Sequence, residues 1–180
     1  LPGFELAGHL PGLARSHVLI VLNCARRTRS IIAAATSRAL GYPCVALENG
    51  TMGWRLAGGE VEGGEGEPMP QAAEADVVGV TARARTLALS QGVAPIGAAE
   101  LNHLRANPGT ARPYVLDVRA LEAFEAAHVP GAICLPGGQA IQRTDDFLAV
   151  PGAPVAVMDE GDARAWLAAW WLKRMGFSQV

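Results

Sequence analysis

At 180 residues, half of them apolar, the chain can bury one sizeable core or two small ones. Its 15 basic and 17 acidic side chains, net charge −2, exclude a general nucleic-acid binder. Three cysteines with no CxxC or Cys/His cluster at zinc spacing exclude a secreted disulfide framework and a zinc module, so no metal and no cofactor is expected. Cys44 and Cys134 fall in short apolar runs and read as buried, inert thiols. Such usage fits a reducing, cytoplasmic compartment. No signal peptide or membrane-length run is visible, since AWLAAWWL is short and is followed by Lys173 and Arg174. A start at Leu1 in place of Met reads as a processed or excerpted chain.

Residues 1–17 are turn-rich, with a short helix expected around Phe4–Gly8. Val18–Asn23 is an apolar run closed by a polar residue, the pattern of a central parallel strand. Six residues, Cys24–Arg29, separate it from a helix that Ser30 caps or opens, with Ile31, Ile32, Ala35, Ala39 and Leu40 as its apolar stripe. Gly41 ends that helix. Cys44–Leu47 reads as a second strand, Asn49-Gly50 as a turn, and Thr51–Gly58 as a brief helix with Met52 and Trp54 turned inward. The Gly- and Glu-rich stretch 58–70 breaks the pattern as a linker. Helices are expected over 72–89, interrupted by Gly79, and over 97–106, followed by a turn at 107–113. Strands at 114–118, 132–135 and 154–158 then alternate with helices at 121–127, weakly at 142–149, and strongly at 163–175, which Gly176 ends. Such alternation means an α/β layer architecture with a mainly parallel sheet.

The chain also repeats itself. LPG at 1–3 recurs at 135–137, and RSIIAAATSRALGY from Arg29 matches RAWLAAWWLKRMGF from Arg164, at offsets of 134 and 135 residues. Two copies of one domain type are therefore expected, neither of them whole.

The loop after the first strand carries the chemistry. A curled loop between strand and helix converges its amides on one point, and with the helix N-terminus and neighbouring arginines it favours a thiolate at Cys24. The spacing Cys24-x4-Arg29 is one residue smaller than the C-x5-R cradle of cysteine phosphatases, and Ser30 lacks the fork that a phosphoryl group wants. VLNCARRTRSII with LENGTMGW, and YVLDVRALEAFEAAHVPGAICLPGG, together resemble the rhodanese family of sulfurtransferases, in particular bacterial proteins with several such domains in tandem. The D-x-R strand end and H-[VI]-P-G-A signature is matched by Asp117, Arg119, His128, Pro130, Gly131 and Ala132.

The resemblance implies a three-layer α/β/α fold with a mainly parallel central sheet: one partial copy (1–57), a linker with a helix (58–95), and a second, nearly complete copy (96–180). It implies that Cys24 takes sulfane sulfur from a small anionic donor such as thiosulfate and passes it to cyanide or a thiol, with no nucleic acid and no membrane as partner. Arg29 would brace the loop or meet the anion. Ala25, Arg26, Arg27, Thr28 and Ser30 would form the anion-binding loop, Thr28 as a candidate donor to the sulfur. Met52 and Trp54 are candidates for a pocket wall; Asp117, Arg119 and His128 would be structural in the second copy. Related tandem proteins carry glycine where Arg26 stands, so a positive φ there would strain the loop. In the second copy Asp159 or Glu160 takes the cysteine position, in a loop one residue shorter, and that copy is expected to be inactive. Exposed flanks are expected to be sealed by a homodimer or by flanking rhodanese-like domains. The rival readings are a non-catalytic sulfur-carrier or interaction module and a cysteine-dependent phosphatase or arsenate reductase.

Overall fold

Two parallel sheets follow one another along the chain in this computed structural model, which describes residues 3–14, 19–64, 66, 68–107, 109 and 111–180. Leu1, Pro2 and Val18, used above for the repeat and the first strand, lie outside the described residues. A 3-10 turn (Gly3–Glu5) runs into α1 (Leu6–Ala14), longer than the expected helix. Strand β1 (Ile20–Leu22) leads through the cysteine loop into α2 (Thr28–Ala39), and β2 (Cys44–Ala46) pairs with β1 in parallel, Ile20 opposite Cys44. The short α3 (Gly50–Leu56) closes this first unit.

The second unit is more complete. Strands β3 (Tyr114–Asp117), β4 (Ile133–Cys134) and β5 (Val155–Met158) form a parallel sheet in the order β4-β3-β5. Helices α5 (Ala98–Ala106), α6 (Leu121–Ala126), α7 (Gln139–Gln142), α8 (Thr144–Phe147) and α9 (Ala163–Arg174) complete it. Helix α9 is apolar nearly all round, as a helix packed on several sides must be. Leu167, Ala168 and Leu172 have no exposed surface, and the Arg174 guanidinium covers the outward rings of Trp170 and Trp171.

Between the units, 58–64 and 68–73 carry no regular element. The end of this stretch is nevertheless packed: Met69 touches the core, and the carbonyls of Pro70 and Gln71 lie so close to α1 that a Cβ on Gly12 would come within 3.1 Å of both. Helix α4 (Glu74–Ser90) then runs unbroken through Gly79. One glycine costs a helix interior about 1 kcal/mol, and burial of Val80, Ala84 and Ala88 outweighs it. The core is continuous across the chain, joining Phe4, Leu10, Ile20, Leu22 and Leu40 of the first unit to Val80 of α4 and to Leu116, Leu167 and Leu172 of the second.

The expected stripe of α2 needs correction. Its buried positions are Ser30, Ala34, Thr36, Ser37 and Leu40, whereas Ile31 is 45% exposed and Ala39 faces solvent. Small residues let α2 approach its neighbours closely, and the two-stranded sheet is too narrow to cover Ile31. The approach is visible where Trp171 Nε1 of α9 donates to Thr36 Oγ1 at 2.8 Å.

Candidate active site

Cys24 stands two residues beyond the end of β1, half-buried, at the mouth of the loop that enters α2. Helix α2 has no side-chain cap: Arg27 at the N-cap position makes no capping hydrogen bond. The first turn of any helix leaves amides without intrahelical partners, and here those of Arg29 and Ser30, with the amide of Arg26, lie near enough to the Cys24 sulfur to favour its thiolate. The sulfur thus occupies the place of a capping oxygen, at the positive end of a twelve-residue helix. The Cys24 thiol also donates to Ser30 Oγ at 3.4 Å, and Ser30 Oγ donates to the Arg27 carbonyl at 3.0 Å. Burial pushes the thiol up, but the Ser30 hydroxyl and the three amides outweigh it, so Cys24 ionises below the ordinary cysteine value.

A second element holds the loop from behind. The amides of Thr51 and Met52 at the start of α3 donate to the carbonyls of Cys24 (3.0 Å) and Ala25 (3.2 Å). Asn23 Nδ2 donates to Thr51 Oγ1 at 2.9 Å, tying the strand end to the same helix. Gly50, at φ +59°, is pressed so close that a Cβ would sit 2.1 Å from the Cys24 carbonyl oxygen and 2.5 Å from that of Arg26.

Several sequence-based expectations change. The hydroxyl at the sulfur belongs to Ser30, not Thr28, because Thr28 lies one residue into the helix and is exposed. Arg26 has no positive φ, since Asn49 is the one non-glycine with that geometry among the described residues, so the loop carries arginine there without that strain. The side chains of Arg26, Arg27 and Arg29 are exposed and make no hydrogen bond or ion pair among the described residues. Arg29 contributes its amide, while its side chain is exposed at the loop. Met52 and Trp54 are not turned inward: they are 47% and 49% exposed. Helix α3 meets the loop end-on through its backbone, which points these side chains away, and the Trp54 indole N–H donates to the Glu60 carbonyl at 2.6 Å. Asn23, Gly50 and Thr51 were missed as site residues. The signal for them was the Asn49-Gly50 pair, read only as a turn.

Residues 98–180 match the family model of the Rhodanese-like domain. The crystal structure of a thiosulfate sulfurtransferase from Pseudomonas aeruginosa matches 99% of this chain at a TM-score of 0.90 and 36% identity. The fold is rhodanese-like. A further relative, the putative sulfur carrier protein YrkF of Bacillus subtilis (strain 168), is 30% identical over 66 residues, 37% of this chain. The chain spans about a third of the length of these two proteins, 34% and 35% respectively. Among the described residues no group of three or more His, Cys, Asp or Glu is placed to hold a metal, and no helix is long and apolar enough to cross a membrane.

The second rhodanese-like unit repeats the cradle with a carboxylate in it. Asp159 Oδ1 accepts from the Gly161 amide at 2.7 Å and Oδ2 from the Ala165 amide at 2.8 Å. These amides lie two and six residues beyond Asp159, just as those of Arg26 and Ser30 lie beyond Cys24. Asp159, not Glu160, is therefore the counterpart of the cysteine: both helices begin four residues on, at Thr28 and Ala163, while the whole strand-to-helix loop is one residue shorter in the second unit, 159–162 against 23–27, because Asp159 follows its strand directly. Asp162 caps α9 through the Arg164 amide at 2.8 Å and also accepts from Arg164 Nε at 2.7 Å. Burial and the neighbouring Asp162 carboxyl raise Asp159 to about 6 against the opposing pull of its two amides. Asp117, fully buried, is held by Arg119 through Nε at 2.9 Å and Nη2 at 2.7 Å. Arg119 also donates to the Ala127 carbonyl and to Glu160, spanning the strand end and the acidic loop. His128 Nδ1 donates to the Phe124 carbonyl at 2.8 Å, with the two rings stacked 3.9 Å apart.

Proposed function

We propose that this rhodanese-like chain is a sulfurtransferase that carries sulfane sulfur as a persulfide on Cys24. The observation that carries the reading is the Cys24 sulfur set at the N-terminus of α2, 3.4 Å from the Ser30 hydroxyl, in a loop whose amides favour the thiolate. The Cys24 thiolate attacks the outer sulfur of thiosulfate. The sulfur–sulfur bond of the donor breaks, sulfite leaves with its electron pair, and the new terminal sulfur bears the negative charge. That charge forms one atom beyond Cys24 Sγ, toward the loop mouth, where Arg26, Arg27 and Arg29 attract the dianionic donor. Cyanide or a thiolate then attacks the terminal sulfur and releases the Cys24 thiolate. The second unit holds a carboxylate in the corresponding cradle and cannot form a persulfide, so its role is structural.

Intact mass after incubation with thiosulfate tests this. The native chain gains one sulfur and Cys24→Ser gains none; a folded native chain that gains none would sink the reading. The name of the Bacillus relative favours a second reading, a carrier that takes sulfur without rapid turnover. It is distinguished by a stable mass gain with no thiocyanate released to cyanide.

A further inference from the structure

The contact between α3 and the cysteine loop reaches beyond packing. A peptide unit is planar, with its C=O and the following N–H pointing in opposite directions. The Met52 amide holds the Ala25 carbonyl, and this turns the Arg26 amide away from α3; that amide is one of those that favour the Cys24 thiolate. The Thr51 amide does the same for the Cys24 carbonyl, and so for the direction of the Ala25 amide. Asn23 and Thr51 lock the strand end to α3 through their side chains. Gly50 permits the approach, because any Cβ at that position would collide with two loop carbonyls.

We propose that Asn23, Gly50, Thr51 and the Met52 amide form a latch that positions the cysteine loop, aiming its amides at the sulfur by holding its carbonyls from behind. None of the four touches the reacting atoms; they act through the backbone of Cys24–Arg26. Loosening the latch lets the first two peptide planes of the loop rotate, and the anionic sulfur loses donors that the neutral thiol hardly needs. The effect therefore falls on ionisation and on the charged persulfide. The functional importance of the latch rests on Cys24 being the sulfur carrier, but its effect on ionisation does not.

The test is the pH dependence of Cys24 alkylation by iodoacetamide, followed by peptide mass, in the native chain, Thr51→Val and Gly50→Ala. Thr51→Val keeps the backbone amide and removes the bond to Asn23; Gly50→Ala forces the loop carbonyls away. The alkylation midpoint is expected to rise by about half a pH unit in Thr51→Val and about one unit in Gly50→Ala, a roughly three- and tenfold loss of thiolate at any pH well below the native midpoint. Should Gly50→Ala fail to fold, Asn23→Ala replaces it and is expected to match Thr51→Val. Midpoints that coincide with the native one in folded variants overturn the latch. A native chain that alkylates at low pH yet takes no sulfur from thiosulfate overturns the sulfurtransferase reading instead, with the latch still measured by the same profiles.

Discussion

Ser30→Ala isolates the side-chain group that, among the described residues, shares a hydrogen bond with the sulfur. Ser30 is 2% exposed, and its hydroxyl bridges Cys24 and the Arg27 carbonyl. When the thiol ionises, this hydroxyl can turn its proton to the sulfur, and Arg27 O keeps the Ile31 amide at 3.3 Å. A hydrogen bond to a charged group contributes about 1.5–3 kcal/mol. The 3.4 Å contact to a diffuse sulfur belongs at the weak end, so the midpoint should rise by about one unit. A more basic thiolate is also more nucleophilic, with a Brønsted slope of about 0.4–0.5. A tenfold loss of thiolate is then partly offset, and sulfur uptake should fall only about threefold well below both midpoints.

Well above both midpoints the variant should be the faster, again by about threefold. Stopped-flow uptake of sulfur from thiosulfate between pH 5 and 10 checks this crossing. Superimposable profiles, or a fall that is uniform in pH, would refute the argument. Stability follows with a defined sign. The folded thiol lies below its unfolded value, so its contribution is full above about pH 8.5 and is lost as pH falls through the folded value. The cost of Ser30→Ala should therefore be larger at pH 9 than at pH 6.

Asp159→Asn is expected to remove a pH dependence from the stability of the chain, beside a pH-independent cost from setting an NH2 against one of the two amides that Asp159 accepts. Because this carboxyl is raised to about 6 in the fold, its contribution is full below its unfolded value near 4 and is lost as pH rises through 6. After screening, the variant's stability relative to the native chain should improve by about 1 kcal/mol between pH 4 and pH 8; thermal melts at the two values decide it, and a difference in melting that is the same at both would dismiss the idea. Trp171→Phe removes the bond to Thr36 but leaves Thr36 its own bond to the Ile32 carbonyl at 2.8 Å. The loss should be about 0.5–1.5 kcal/mol, lowering Tm by about 2–5 °C, and an unchanged melt would show that this contact does not hold the two units together.

What could be read from the residues alone was whatever lies along the chain. The apolar run before Cys24, the alternation from Tyr114 to Met158 and the match between the helices at Arg29 and Arg164 are local patterns. What escaped were facts of direction. Ser30 and Thr28 both carry a hydroxyl within six residues of Cys24; which one meets the sulfur depends on where α2 starts. Met52 was read as a side chain, whereas its contact with the loop is an amide. Ile31 was placed inside because it is apolar, yet the sheet beside it has only two strands. The choice between Asp159 and Glu160 was settled by two amide contacts that spacing alone could not show.

Thr36 and Trp171 are the same position of the repeat, one in each copy, and they touch each other. A residue that meets its own counterpart lies near a two-fold axis, as in an isologous dimer. In a dimer of identical chains, however, such a position must hold the same residue on both sides. Threonine facing tryptophan, acceptor on one side and donor on the other, is open to copies that are encoded separately, as the two in this polypeptide are. The same freedom allowed a cysteine to stand in one cradle and an aspartate in the other: covalent linkage turns a symmetric pair into two specialists.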